Sequence, residues 1–168
     1  MMKKFLAVLA IVFLANLGCK KLDVNDGLCA CSPITEPTVV LVVKNAAGAD
    51  MLNPATNGYF TNSNIQLYYQ ESGGSLKQLN FFVRPSFSYG SDKFSYYQLH
   101  TTDILKNVVT NNRSFYLKLG SNNPLKLDVE LQTDEKYKVV KLLVNDVEAQ
   151  AETGAVAAYV PNIFYVNL

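Results

Sequence analysis

Leu125, Leu127, Val129 and Leu131 alternate without a break with Lys126, Asp128, Glu130 and Gln132. Side chains of an extended strand point to opposite faces in turn, so this pattern predicts a strand with one buried and one solvated face. The alternation recurs. Ile65, Leu67 and Tyr69 interleave with Gln66, Tyr68 and Gln70; Leu79, Phe81 and Val83 follow, and Phe115, Leu117 and Leu119 interleave with Tyr116 and Lys118. A strand is also expected over 94–100, with Ser95, Tyr97 and Leu99 on one face and Tyr96, Gln98 and His100 on the other. Three stretches are apolar on both faces: the β-branched run 38–43, the run 137–144, read as a central strand, and the last strand, 163–166. Turns fall at 44–50 and 71–74, where Gly and Asn cluster. Only one segment favours helix: Thr102-Asp103 as a cap, then Ile104, Leu105, Val108 and Val109. Seven or eight short strands without alternating helices predict an all-β fold, a single antiparallel β-sandwich, immunoglobulin-like or transthyretin-like, over residues 38–168.

The chain of 168 residues opens differently. Lys3 and Lys4 precede a thirteen-residue apolar run from Phe5 to Leu17, broken only by Asn16. Such a run is too short for a stable membrane span and has the length of a signal-peptide core. It ends at Gly18-Cys19, a small residue before a cysteine, which suits cleavage before Cys19 and acylation of its thiol and new amine. Residues 1–18 are therefore expected to be a lipoprotein signal peptide and Cys19 a lipidated N-terminus, with the acyl chains holding the protein on a membrane. Gly18 and Cys19 match the lipobox pattern, while Leu17 and Asn16 stand where Ala or Ser and Leu are commoner.

Residues 19–37 are polar and carry Pro33 and Pro37, as a tether between lipid and domain would. Asp23 to Gly27 has the opening of a calcium loop but lacks its later carboxylate, so it reads as linker. Cys29 and Cys31 are the remaining cysteines. Adjacent-but-one side chains of an extended segment point apart, so a bridge between them needs a strained turn. A bridge, two reduced thiols, and half of a two-thiolate metal site completed by another chain all remain open; an oxidising compartment favours the bridge. No further His or Cys set completes a metal site within the chain, and no cofactor is expected.

The leader, the Cys- and Pro-containing linker and a first strand running into Gly48-Ala49-Asp50-Met51-Leu52-Asn53-Pro54 resemble the small uncharacterised lipoproteins of bacteroidete-type bacteria. Residues 113–119, 125–131 and 141–147 are similar to the strand, strand, strand-turn ending of that group. Two departures stand out: no cysteine lies in the sheet region, and the late turn is Asn145-Asp146 rather than Asn-Gly. The resemblance implies a β-sandwich and an envelope location and transfers no active site. Lys20-Lys21 after the cysteine, rather than an acidic run, points to the periplasmic side of the outer membrane.

Fifteen Lys+Arg against fourteen Asp+Glu supply no basic field for nucleic acid, and loss of Lys3 and Lys4 with the leader leaves thirteen. The sequence contains neither nucleotide-binding glycine loops nor a nucleophile elbow nor a His-Glu-x-x-His motif. One histidine and no tryptophan leave little acid–base vocabulary; His100 is expected to be half-exposed on its strand, and Asp128, Glu130, Asp134 and Glu135 to be solvated charges. The expectation is a non-enzymatic interaction or structural module, partnered by the membrane and by an envelope protein or glycan. One segment is dense in aromatics: residues 81–97 hold Phe81, Phe82, Phe87, Tyr89, Phe94, Tyr96 and Tyr97. Phe87, Tyr89, Tyr96 and Tyr97 are the candidate ligand-binding residues, because Tyr joins an apolar body to a polar tip. The alternative is that these rings fill the core and form cross-strand pairs.

Overall fold

A computed structural model describes residues 37–111, 114–132 and 137–168. The expected leader, Cys19, the tether through residue 36 with Cys29 and Cys31, and Asp134 and Glu135 lie outside these residues. Most of the regular structure in the described chain is strand. β1 (Val39–Lys44), β2 (Ile65–Gln70), β3 (Leu76–Gln78), β4 (Phe82–Arg84), β5 (Phe87–Tyr89), β6 (Asp92–Phe94) and β7 (Gln98–Thr101) precede a helix, α1 (Asp103–Asn111). β8 (Phe115–Leu119), β9 (Leu125–Leu131), β10 (Val139–Val144), β11 (Val147–Glu148), β12 (Gln150–Ala151) and β13 (Ile163–Asn167) complete it.

These strands form a five-stranded sheet in the order β12-β13-β1-β7-β4, a six-stranded sheet in the order β11-β10-β9-β8-β2-β3, and the separate hairpin β5-β6. Pairing is antiparallel throughout, except that β1 and β13 run parallel from Val40↔Ile163 to Lys44↔Asn167. Parallel neighbours need a long connection, and almost the whole domain separates these two. The inward side chains of both sheets share one core: Leu41 and Val43 of β1, Leu99 of β7 and Val166 of β13 join Leu67, Leu117 and Leu127 of the other sheet. Ile104 and Leu105 of α1 belong to it, so the helix buries the face its apolar spacing marks.

β1 is buried on both faces. Val40 and Val42 point away from the main core into a second one with Phe94, Val156 and Ile163, built where the β5-β6 hairpin and the short 3-10 turn Ala155–Ala158 cover the five-stranded sheet. A strand covered on both sides has no polar positions to alternate, which accounts for the unbroken Val/Leu run.

Two expected strands are divided. The segment 79–83 is not one strand: β3 belongs to the six-stranded sheet and β4 to the five-stranded one, and the chain crosses between them at Asn80. Asp103 Oδ2 accepts from the Asn80 backbone N (2.8 Å) and Nδ2 (2.9 Å), while Asn80 O accepts from Thr101 Oγ1 (2.8 Å). Likewise 94–100 breaks between β6 and β7, where the Tyr97 N–H is taken by Asp50 Oδ2 instead of a ladder partner. The expected alternation of faces survives that break, with Leu99 and Tyr97 toward the main core and Tyr96 toward the second.

β10 is not a central strand. It lies next to the edge, its register against β9 shifts between Val139 and Lys141, and Val140 is 61 % exposed at that irregularity. Asn145 and Asp146, both at positive φ (50° and 65°), make the two-residue turn into β11, the left-handed geometry that Asn and Asp tolerate. Asn145 Oδ1 also accepts from Lys126 N at 2.9 Å, fastening the turn to β9. The four edge strands of the two larger sheets have two or three residues each, which limits pairing with other chains.

Candidate functional site

The aromatic segment is divided between the two sides of the five-stranded sheet. Phe87 and Phe94 are direct partners in the β5-β6 register, with ring centroids 5.7 Å apart. Tyr96 meets Phe94 edge-on at 5.7 Å and Tyr165 at 5.9 Å, so Phe87 and Tyr96 flank the buried Phe94 in the second core. Arg84 lies over the Phe87 ring at 4.6 Å. Tyr97 packs against the main core instead. Tyr89 takes its place in β5 opposite Asp92. Of the four candidates, then, Phe87 and Tyr96 are brought together and Tyr97 is held apart from them.

A charged array borders this cluster. The Lys44 ammonium sits 4.1 Å from the ring centroids of both Tyr96 and Tyr165, a cation held between two π-faces. The Tyr165 hydroxyl donates a short hydrogen bond to Glu152 Oε2, and Gly154 N donates to Glu152 Oε1 at 2.6 Å. The Tyr165 hydroxyl holds the Glu152 carboxyl below the usual range, with the Gly154 amide and Lys44 adding to it against burial. Burial, then the Glu152 charge, raise Tyr165. A tyrosine pushed up and a carboxylate pushed down are a poor acid–base couple; the array ties β12 to β13 and to the end of β1.

His100 is buried, 6 % exposed, rather than half-exposed. Its strand lies between β1 and β4, with Val40 and Phe82 as its direct partners, and its ring stacks on Phe82 at 5.0 Å and 17°. Gln98 Nε2 donates to the Tyr96 carbonyl at 2.6 Å, which leaves Gln98 Oε1 toward His100 Nε2 at 3.1 Å. An amide oxygen only accepts, so His100 carries its proton on Nε2. Burial, aided by the nearby Arg84 charge, lowers its pKa to about 4, and the ring is neutral near pH 7.

On the other sheet Asp128 is paired with Lys126 at 2.8 Å, and Asp146 reaches the same ammonium at 3.2 Å. Burial works to raise Asp128, but hydrogen bonds from Lys126 and Ser114 outweigh it and the net shift is downward. Among the described residues no three His, Cys, Asp or Glu side chains converge as a metal site.

The outward face of the six-stranded sheet holds a feature that reading by segment misses. Tyr68 of β2 and Tyr116 of β8 are direct partners, stacked with centroids 5.5 Å apart and planes at 21°. Together with Gln70, Leu76 and Pro124 they line an open pocket of about 290 Å³. No lining side chain is charged. The signal was present: Tyr68 and Tyr116 occupy the solvent positions of two alternating strands, where Gln and Lys otherwise stand.

No described helix is long and apolar enough to cross a membrane. Comparison with protein families, with curated proteins and with solved structures finds no match to this chain.

Proposed function

We propose that the chain is a lipid-anchored module of a bacterial cell envelope, attached through Cys19 and acting as a non-enzymatic interaction or structural domain. The apolar leader ending in Gly18-Cys19 carries this reading, because that order of charge, apolar core, small residue and cysteine is what lipidation requires. Within it the domain is a β-sandwich of immunoglobulin-like or transthyretin-like kind, akin to the small lipoproteins of bacteroidete-type bacteria and facing the periplasm from the outer membrane. The structural employment of the titratable groups supports the non-enzymatic part: His100 is buried against Phe82, Glu152 is tied to Tyr165, and Asp128 to Lys126. Labelling cells with palmitate tests the anchor: wild type takes up label and Cys19→Ala does not, whereas equal labelling of both overturns it.

A second reading is a glycan- or peptide-binding module working through residues 81–97. The observation in its favour is that Phe87 and Tyr96 keep part of their rings exposed beside Arg84 and Lys44. The separation of Tyr97 from them places it behind the first reading.

A further inference from the structure

We infer that the Tyr68–Tyr116 pocket on the outward face of the six-stranded sheet is a binding site for a neutral saccharide. The backbone groups of β2 and β8 are paired with each other across this face, from Ile65↔Leu119 to Tyr69↔Phe115. A ligand lying there meets side chains alone, so strand addition is not its mode of recognition. Those side chains combine the half-buried ring of Tyr116, backed by the stacked and buried ring of Tyr68, the aliphatic groups of Leu76 and Pro124, and the amide of Gln70. Sugars need this mixture: their C–H faces pack on rings and aliphatic surface, while their hydroxyls bond to neutral donors and acceptors.

The hydrogen-bonding capacity is unspent. Among the described residues neither tyrosine hydroxyl has a hydrogen-bond partner, and the Gln70 amide has only a long contact of 3.4 Å from Nε2 to Gly74 O. Leu76 stands 57 % exposed at the rim, an apolar side chain on a three-residue edge strand. Charge selects against ionic ligands. Of the lysines on this face, Lys126, directly across from Tyr116 on β9, is already paired with Asp128 and Asp146, and Lys118, two residues along β8, lies outside the lining. An anionic ligand finds no free cation in the lining, and a cationic one finds no carboxylate. The pocket is open rather than enclosed, so its occupant is one or two units of a longer chain, bound weakly and by its surface.

The inference goes beyond the anchored-module reading and does not depend on it, since labelling at Cys19 and binding at Tyr116 succeed or fail separately. The test is a titration of the ¹⁵N-labelled full-length chain with cellotetraose, laminaritetraose and mannotetraose, with tri-galacturonate as an anionic probe. The expected result is saturable shifts around residues 66–78 and 114–126 with at least one neutral oligosaccharide and none with the anion. Tyr116→Ala and Leu76→Ser then weaken binding about tenfold, roughly 1.4 kcal/mol, while Val147→Ser on the far edge leaves it unchanged. Leu76→Ser alters only an exposed side chain and keeps the test valid if Tyr116→Ala does not fold. No saturable shift with any neutral sugar up to about 10 mM, or binding that both pocket variants leave intact, overturns the inference. So do shifts confined to residues 81–97, or stronger binding of the anion.

Discussion

The carboxylate of Asp50 accepts a 2.7 Å hydrogen bond from the backbone N–H of Tyr97, 47 residues away, while its other oxygen accepts from Leu52 N at 3.0 Å. One buried side chain thus joins the turn after β1 to the break between β6 and β7 and keeps Tyr96 and Tyr97 on opposite sides of the five-stranded sheet. Removing it leaves a part-buried amide without its partner. Asp50→Ala is expected to lower unfolding free energy by about 1–3 kcal/mol, read as a lower urea midpoint. An unchanged midpoint means that the contact is not formed in solution.

The distance spanned by that bond explains what could be read along the chain and what could not. Strands 115–119 and 125–131 are legible because alternation is local and one face of each is solvated. The expected helix after Thr102 is legible for the same reason, with Ile104, Leu105 and Val108 falling on one side. The breaks at Asn80 and at 95–97 are not, because Asp103 and Asp50 impose them from 23 and 47 residues away. Segment reading joins two strands into one in both places. Tyr68 and Tyr116 each stand out as aromatic at a solvent position, but only the register of β2 against β8 makes them a pair. The burial of His100 depends on β4 lying beside β7, which no window of sequence contains.

That buried histidine makes stability depend on acid. Its folded pKa of about 4 lies below the ordinary histidine value of 6.5, so the unfolded chain binds the proton more readily. The contribution is present in full above pH 6.5 and is lost as pH falls toward 4. Across that window the loss is of the order of 2–3 kcal/mol, superimposed on the carboxylate titrations. Urea unfolding of wild type and of His100→Asn between pH 7 and 4 separates the two: the variant has the shallower slope. Parallel slopes contradict the buried neutral ring.

The second core is load-carrying in proportion to its burial. Phe94 is buried between the β5-β6 hairpin and β1, so Phe94→Ala is expected to cost about 3–5 kcal/mol, whereas Val147→Ser, at a position 70 % exposed, stays within about 0.5 kcal/mol. Comparable thermal shifts for the two variants mean that the hairpin does not pack on the sheet.

The Tyr165–Glu152 bond has its own signature. Tyr165→Phe keeps the ring beside Lys44 and Tyr96 but removes the hydroxyl, the main cause of the low Glu152 pKa. The Glu152 carboxyl, followed by ¹³C chemical shift against pH, is expected to move up toward the usual glutamate range. A titration curve that does not move refutes the bond.

The account rests most heavily on Cys19, and the mass of the N-terminal peptide of the chain recovered from bacterial membranes tests it directly. The expected peptide begins at residue 19 and carries a diacylglyceryl thioether with an acylated amine; recovery of residues 16–21 as one continuous, unmodified peptide contradicts the anchor.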